Sequence, residues 1–241
     1  MKAFAASNIG KMRQINEDSF FASNPDDKIQ LYIVADGMGG YNGGEIASSL
    51  AVTAARNYIL SNFEKKMDNK ETLLELIKNS VDYANKVVFE KSRENEELKN
   101  MGTTLDICLI YMNKLFIGHI GDSRVYRIRK EFMRKLTKDH SYVQQLVDEG
   151  KITKEESINH PKKNMLIKAL GCTEEIEPDV MVKGLVKDDI LLMCTDGLTN
   201  MVKEEEIFTI LKSDLKDPSG ELIKKANENG GLDNITAVII K

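Results

Sequence analysis

The sequence predicts an α+β sandwich in which helices cover the outside of antiparallel sheets. Three observations lead there. Short apolar and alternating runs succeed one another over 103–136 with no helical pattern between them. Helical patterns come in pairs, 44–61 with 69–92 and 203–212 with 218–229, not one after each strand. Proline is scarce, 4 in 241 residues, and no Pro/Ser-rich linker, repeat or low-complexity stretch divides the chain. A single domain over 1–241 is therefore expected.

Residues 2–7 and 18–22 read as short strands, and 29–35 as a buried strand. Ile46, Ala47, Leu50, Ala51, Ala54, Ala55, Tyr58 and Ile59 recur at helical spacing, as do Leu73, Ile77, Val81, Ala84 and Val88. A meander follows: 105–112, 115–119, 125–129 and 132–136, with Met112-Asn113-Lys114 as a turn. Residues 139–165 are polar and irregular, apart from a helical stretch near 141–149. Strands resume at 180–184 and 190–195, and the last is 235–240. Asp217-Pro218 supplies an N-cap and a proline in the first turn for the helix over 218–229, and Gly230-Gly231 ends it.

Composition narrows the function. A net charge of −4 gives no electrostatic basis for binding nucleic acid or an anionic membrane. No window nears the roughly 20 apolar residues that span a bilayer. Met1-Lys2-Ala3-Phe4 runs into polar residues, so no signal peptide is expected. Cys108, Cys172 and Cys194 are odd in number and far apart, as in a reducing, cytoplasmic setting.

Two segments share a grammar. Leu31-Tyr32-Ile33-Val34-Ala35 and Ile190-Leu191-Leu192-Met193-Cys194-Thr195 each run into Asp-Gly, at Asp36-Gly37 and Asp196-Gly197. The reading is a carboxylate at the end of a buried strand, followed by a glycine that lets the backbone turn. Asp233-Asn234 stands just before the last strand, and Asp18 in Asn16-Glu17-Asp18-Ser19 is a fourth candidate. A single Asp-Gly is ordinarily just a turn. Several fixed carboxylates meeting in one place repel one another unless a cation lies between them. An all-oxygen set, with no nearby Cys or paired His, favours Mg²⁺ or Mn²⁺ over zinc.

The stretch Gly37–Gly44 is glycine-rich but fails the nucleotide patterns, since no Lys-Ser/Thr follows and Asn42 takes a glycine position. It suits close approach of backbone to a metal, with the Gly37 carbonyl as a possible ligand. Arg13 reads as a surface charge or, beside a metal cluster, as a fork onto phosphate. Asp122, in Gly118-His119-Ile120-Gly121-Asp122-Ser123-Arg124, reads equally as a further ligand or as a hairpin corner with an Asp122–Arg124 contact. His140 and His160 have no ligand spacing and read as hydrogen-bonding residues, with general acid work as the alternative. No Cys-x5-Arg or Asp-x-Asp is present for covalent phosphoryl chemistry.

These motifs together resemble the bacterial, short form of the metal-dependent protein phosphatases of the PP2C (PPM) type. In order they are Arg13…Asn16-Glu17-Asp18, Val34–Gly40, Met101-Gly102-Thr103-Thr104, Gly118–Arg124, Leu136–Ser141, Leu170-Gly171, Cys194–Leu198 and Gly231–Thr236. The resemblance implies a four-layer α-β-β-α sandwich with two antiparallel sheets. It implies a binuclear Mn²⁺ or Mg²⁺ centre bridged by Asp36. The Gly37 carbonyl would complete one ion, and Asp196 and Asp233 the other. Glu17 and Asp18 would act mainly through water on the metals. A third ion would lie near Asp122 and Asp196, Arg13 would hold phosphate oxygens, and 141–165 would form a flap. Animal members carry His where Met38 stands, and Met has no proton to give.

The expected function is a protein serine/threonine phosphatase, with Arg13, Asp36, Asp196 and Asp233 as its catalytic set. Water held by the metals would attack phosphorus in line. Phosphorylated proteins would be its substrates, a Ser/Thr kinase its counterpart and a monomer its state. The rivals are a partner-dedicated regulatory phosphatase and an inactive binding module on the same fold. A nuclease is disfavoured by the acidic balance.

Overall fold

The side-chain alternation of one strand orients the whole molecule. In the computed structural model, which describes residues 1–39, 43–63 and 69–241, β3 (Gln30–Met38) sends Leu31, Ile33 and Ala35 to one face. Tyr32 and Val34 go to the other. The first set packs against α1 (Gly43–Asn62) and α2 (Lys70–Glu94). The second set faces a second sheet, where it meets Val125, Leu191, Met193, Val238 and Ile240. Burial on both faces is why β3 reads as an unbroken apolar run.

The remaining strands are β1 (Ala3–Asn8), β2 (Asp18–Ala22), β4 (Gly102–Thr103), β5 (Leu105–Tyr111), β6 (Lys114–Ile120), β7 (Arg124–Arg129), β8 (Phe132–Lys135), β9 (Asp179–Gly184), β10 (Ile190–Cys194) and β11 (Ile235–Ile240). Among the described residues one sheet is ordered β1-β11-β10-β7-β8 and the other β2-β3-β5-β6-β9, with β4 beside β3. Every pairing is antiparallel. Two helices, α6 (Glu204–Lys212) and α7 (Pro218–Glu228), cover the outer face of the first sheet through Ile207, Leu211, Leu222 and Ile223. The α-β-β-α sandwich is therefore present.

The short helices α3 (Tyr142–Asp148), α4 (Lys154–Ile158) and α5 (Asp196–Thr199) complete the set. The meander turn is Met112-Asn113, both at positive φ (48° and 56°), as a two-residue hairpin requires. Four elements among the described residues were not anticipated, one of them a 3-10 turn at Glu96–Leu98. The strand β4 is two residues long, α5 is a single turn, and α4 lies inside the segment read as irregular. Gly40, Tyr41 and Asn42 of the glycine-rich loop lie outside the described residues. Among those described, no helix is long and apolar enough to cross a membrane.

Candidate metal centre

Alternation along β3 places Asp36 on the inner face, in line with Tyr32 and Val34, where the layer between the sheets reaches the surface. Asp18 on β2 is its register partner. The two carboxylates are thus adjacent across strands, an arrangement that is destabilising without compensation. Asp196 opens α5 immediately beyond β10, and Asp233 precedes β11.

Both Asp-Gly glycines correct the sequence reading. Neither is a turn residue at positive φ. Gly37 lies within β3, which continues past Asp36 and pairs with Thr103 on β4. A Cβ on Gly37 would lie 2.1 Å from the Gly44 carbonyl oxygen and 2.5 Å from that of Glu17. A Cβ on Gly197 would lie 2.0 Å from the Asn234 oxygen. These glycines exist so that three backbone segments can meet. Thr195, read as the end of β10, is instead the N-cap residue of α5.

Asp18 is nearly buried. Its Oδ2 accepts hydrogen bonds from Thr195 Oγ1 (2.9 Å) and Thr236 Oγ1 (2.7 Å), while its buried Oδ1 has no partner. Burial, opposed by those two hydroxyls, lifts its pKa to about 7. Asp36 is raised well above the carboxylate range, by burial first and then by Asp18, Asp196, Asp122 and Asp233. Burial and then Asp196 raise Asp122 to about 7. Burial and then Asp233 raise Asp196, with Arg124 and an Asn200 amide bond (3.0 Å) acting against them. The five predicted carboxylates thus form one mutually repelling group. Among the described residues, no three His, Cys, Asp or Glu side chains already close on a single point. Hard divalent ions take oxygen ligands, water among them. The orphaned Asp18 oxygen and the all-oxygen donor set fit such ions.

Arg13 stands at the rim, half exposed. Its Nη2 donates to Asp233 Oδ2 at 2.9 Å, and its Nη1 is 3.9 Å from Glu17 Oε2. Glu17 is raised by burial and lies against Gly44 at the start of α1. The loop that bears Arg13 and Glu17 and leads into Asp18 is held by a residue whose task the sequence did not reveal. Asn234 accepts from Glu17 N (2.8 Å) and donates to the carbonyls of Ile9 and Ile15 (2.9 Å each).

The Asp122 loop differs from the hairpin corner considered from sequence. Arg124 grips Asp139 with both arms: Nε lies 3.2 Å from Oδ1 and 3.1 Å from Oδ2, and Nη2 donates to Oδ2 at 2.7 Å. His119 is fully buried, with Nδ1 2.7 Å from Asp106 Oδ1 and Nε2 on the Lys138 carbonyl at 2.9 Å. Both nitrogens are occupied, so it is no general acid. Thr104, also unforeseen, accepts from Asp36 N (2.8 Å) and reaches Ser123 Oγ (2.8 Å).

The family profile described as Protein phosphatase 2C matches residues 10–230. The chain belongs to the protein phosphatase 2C family. A serine/threonine phosphatase stp of Listeria innocua is 38% identical, across 100% of this chain and 96% of its own length. Among solved structures, the Mycobacterium tuberculosis serine/threonine phosphatase PstP/Ppp superimposes with a TM-score of 0.89 at 36% identity, covering 99% of this chain and 97% of that one. A PstP catalytic domain solved with 2 manganese ions gives 0.86 at 34% identity, covering 99% and 96%. Protein phosphatase 2C enzymes are metal-dependent, in keeping with the carboxylate group at the end of this sandwich.

Proposed function

We propose that this protein 2C phosphatase removes phosphate from phosphoserine and phosphothreonine in proteins. The observation that carries the reading is the convergence of Asp18, Asp36, Asp122, Asp196 and Asp233 at one end of the inter-sheet layer, with Arg13 at its rim. Asp36, Asp196, Asp233 and the Gly37 carbonyl would hold two Mn²⁺ or Mg²⁺ ions, Asp18 would act through water, and Asp122 would serve a third. Bound divalent ions acidify water and neutralise phosphoryl charge.

The chain's own contribution is positioning. Arg13 is tethered by Asp233 in the free protein and has a fork that matches two phosphate oxygens. Its half-exposed place lets it turn to an incoming phosphate without desolvating a buried charge. Met38 has no proton to donate, so the leaving oxygen takes its proton from another source than residue 38. An inactive binding module would have no use for five carboxylates crowded at one end of the sandwich. We assign the whole of 1–241 to one domain with a flap at 141–165, acting in the cytoplasm as a monomer that opposes a Ser/Thr kinase.

The test is hydrolysis of a phosphothreonine peptide with Mn²⁺ or EDTA, with Asp36→Ala and Asp233→Ala alongside. Turnover that needs Mn²⁺ and disappears in both folded variants is expected. Full activity in either variant overturns the assignment.

A further inference from the structure

Asp122 is bracketed by residues that are themselves gripped from behind. Two hydrogen bonds join Gly121 and His140: Gly121 N donates to the His140 ring at Nδ1 (3.1 Å), and His140 N donates to the Gly121 carbonyl (2.7 Å). On the other side of Asp122, Arg124 forks onto Asp139. Two consecutive residues, Asp139 and His140, thus hold both ends of Gly121-Asp122-Ser123-Arg124. Gly121 tolerates no side chain. Its φ is +106°, and a Cβ there would meet Thr104 Cγ2 at 2.4 Å.

The same His140 closes the neck of the segment that follows. Its carbonyl accepts from Ile167 N (2.9 Å), just outside the Ser141–Leu166 bridge and the bond from Tyr142 N to the Met165 carbonyl (2.8 Å). Its ring lies on that of His119, with centroids 4.7 Å apart, and His119 is anchored by Asp106 and the Lys138 carbonyl. Its Nε2 is 3.4 Å from Asp179 on β9. Backbone N and O, Nδ1 and Nε2 all face a partner. An imidazole so placed fastens two segments to each other: the loop with Asp122, and the neck of 141–165.

We infer that His140 is the positioning residue that fixes Asp122 for catalysis and locks it to the neck of the 141–165 segment. Its activity readout rests on the phosphatase reading. The experiment compares kcat for a phosphothreonine peptide at saturating Mn²⁺ in the unmutated chain, His140→Ala, His140→Asn, Asp122→Ala and the Asp122→Ala/His140→Ala double variant. Asn keeps an acceptor near the place of Nδ1.

His140→Ala should lower kcat about tenfold, in the range usual for residues that orient metal ligands. His140→Asn should recover most of that loss. In the Asp122→Ala background the His140 change should cost less than about twofold, because both act through one group. Multiplying losses, a failure of Asn to rescue, or an unaffected His140→Ala overturn the inference. Trypsin cleavage at Lys154, Lys162 and Lys163, read well below the melting temperature, needs no activity. His140→Ala should speed it severalfold, and an unchanged rate overturns the inference. If the unmutated chain turns over no phosphopeptide, the phosphatase reading fails while the cleavage rates still decide the fastening.

Discussion

At the scale of single residues, Gly37 and Gly197 are constrained by space. A methyl group at either position would overlap a carbonyl oxygen of another segment, Gly44 or Glu17 in one case and Asn234 in the other. Backbone oxygens cannot rotate aside as a side-chain end can, so relief requires the segments to part. Gly37→Ala is expected to cost about 3 kcal/mol, the upper part of the overpacking range, and to remove activity by separating Glu17 from the start of α1. Thermal melting and peptide turnover check this, and a variant with unchanged melting and activity contradicts it. The same residues mark a boundary of sequence reading. The buried runs before Asp36 and Asp196 were legible as strands, although β3 continues two residues past Asp36. The reason for glycine was not legible. Backbone turning is a property of the residue, whereas lack of room is a property of neighbours 7, 20 and 37 positions away along the chain.

At the scale of elements, the loop between β1 and β2 owes its shape to a residue from the far end of the chain. Asn234 is buried and satisfies three of its side-chain hydrogen-bonding groups on the backbone of residues 9–17. Removing the amide leaves two carbonyls and one N–H of that loop without their partner. Asn234→Ala should therefore cost about 3 kcal/mol, near 10 °C in melting temperature for a chain of this size. Because Arg13 rides on the loop, KM for a phosphopeptide should rise more than kcat falls. Equal KM in the variant would separate the loop from phosphate binding. Long elements were legible because their periodicity is strong, as with α2 and β11. The helix α4 carries a local signal in its sequence, the Thr153/Glu156 capping box, with bonds of 3.2 and 2.7 Å. The strand β4 carries none. Two residues show no alternation, and its existence depends on β3 running on past Asp36.

At the scale of the whole molecule, the sandwich concentrates negative charge at one end of the layer between the sheets, and that choice has a cost when no cation is present. Asp18 and Asp122 are each raised to about 7, and Asp36 and Asp196 also lie above their usual range, in every case chiefly by burial. A carboxyl whose pKa is higher in the folded state holds its proton more tightly there. Its contribution to stability is complete below the unfolded value, near 3.9, and is lost as pH rises through about 7. His119, raised chiefly by Asp106 against the effect of burial, works in the same direction. His140, lowered to about 4 by burial and by His119, works in the opposite one, but only below its unfolded value near 6.5. Between pH 6.5 and 8 the carboxylates and His119 therefore set the sign. In EDTA the melting temperature should fall across that interval. A divalent ion reverses the logic, since it stabilises the ionised carboxylates and protons compete with it less as pH rises. The rise in melting temperature on adding Mn²⁺ should thus be larger at pH 8 than at pH 6.5, and Asp18→Asn should flatten the fall seen in EDTA. A profile that is level in EDTA, with the same Mn²⁺ gain at both values, would mean that the carboxylates at the end of the sandwich are not the group that the metal neutralises.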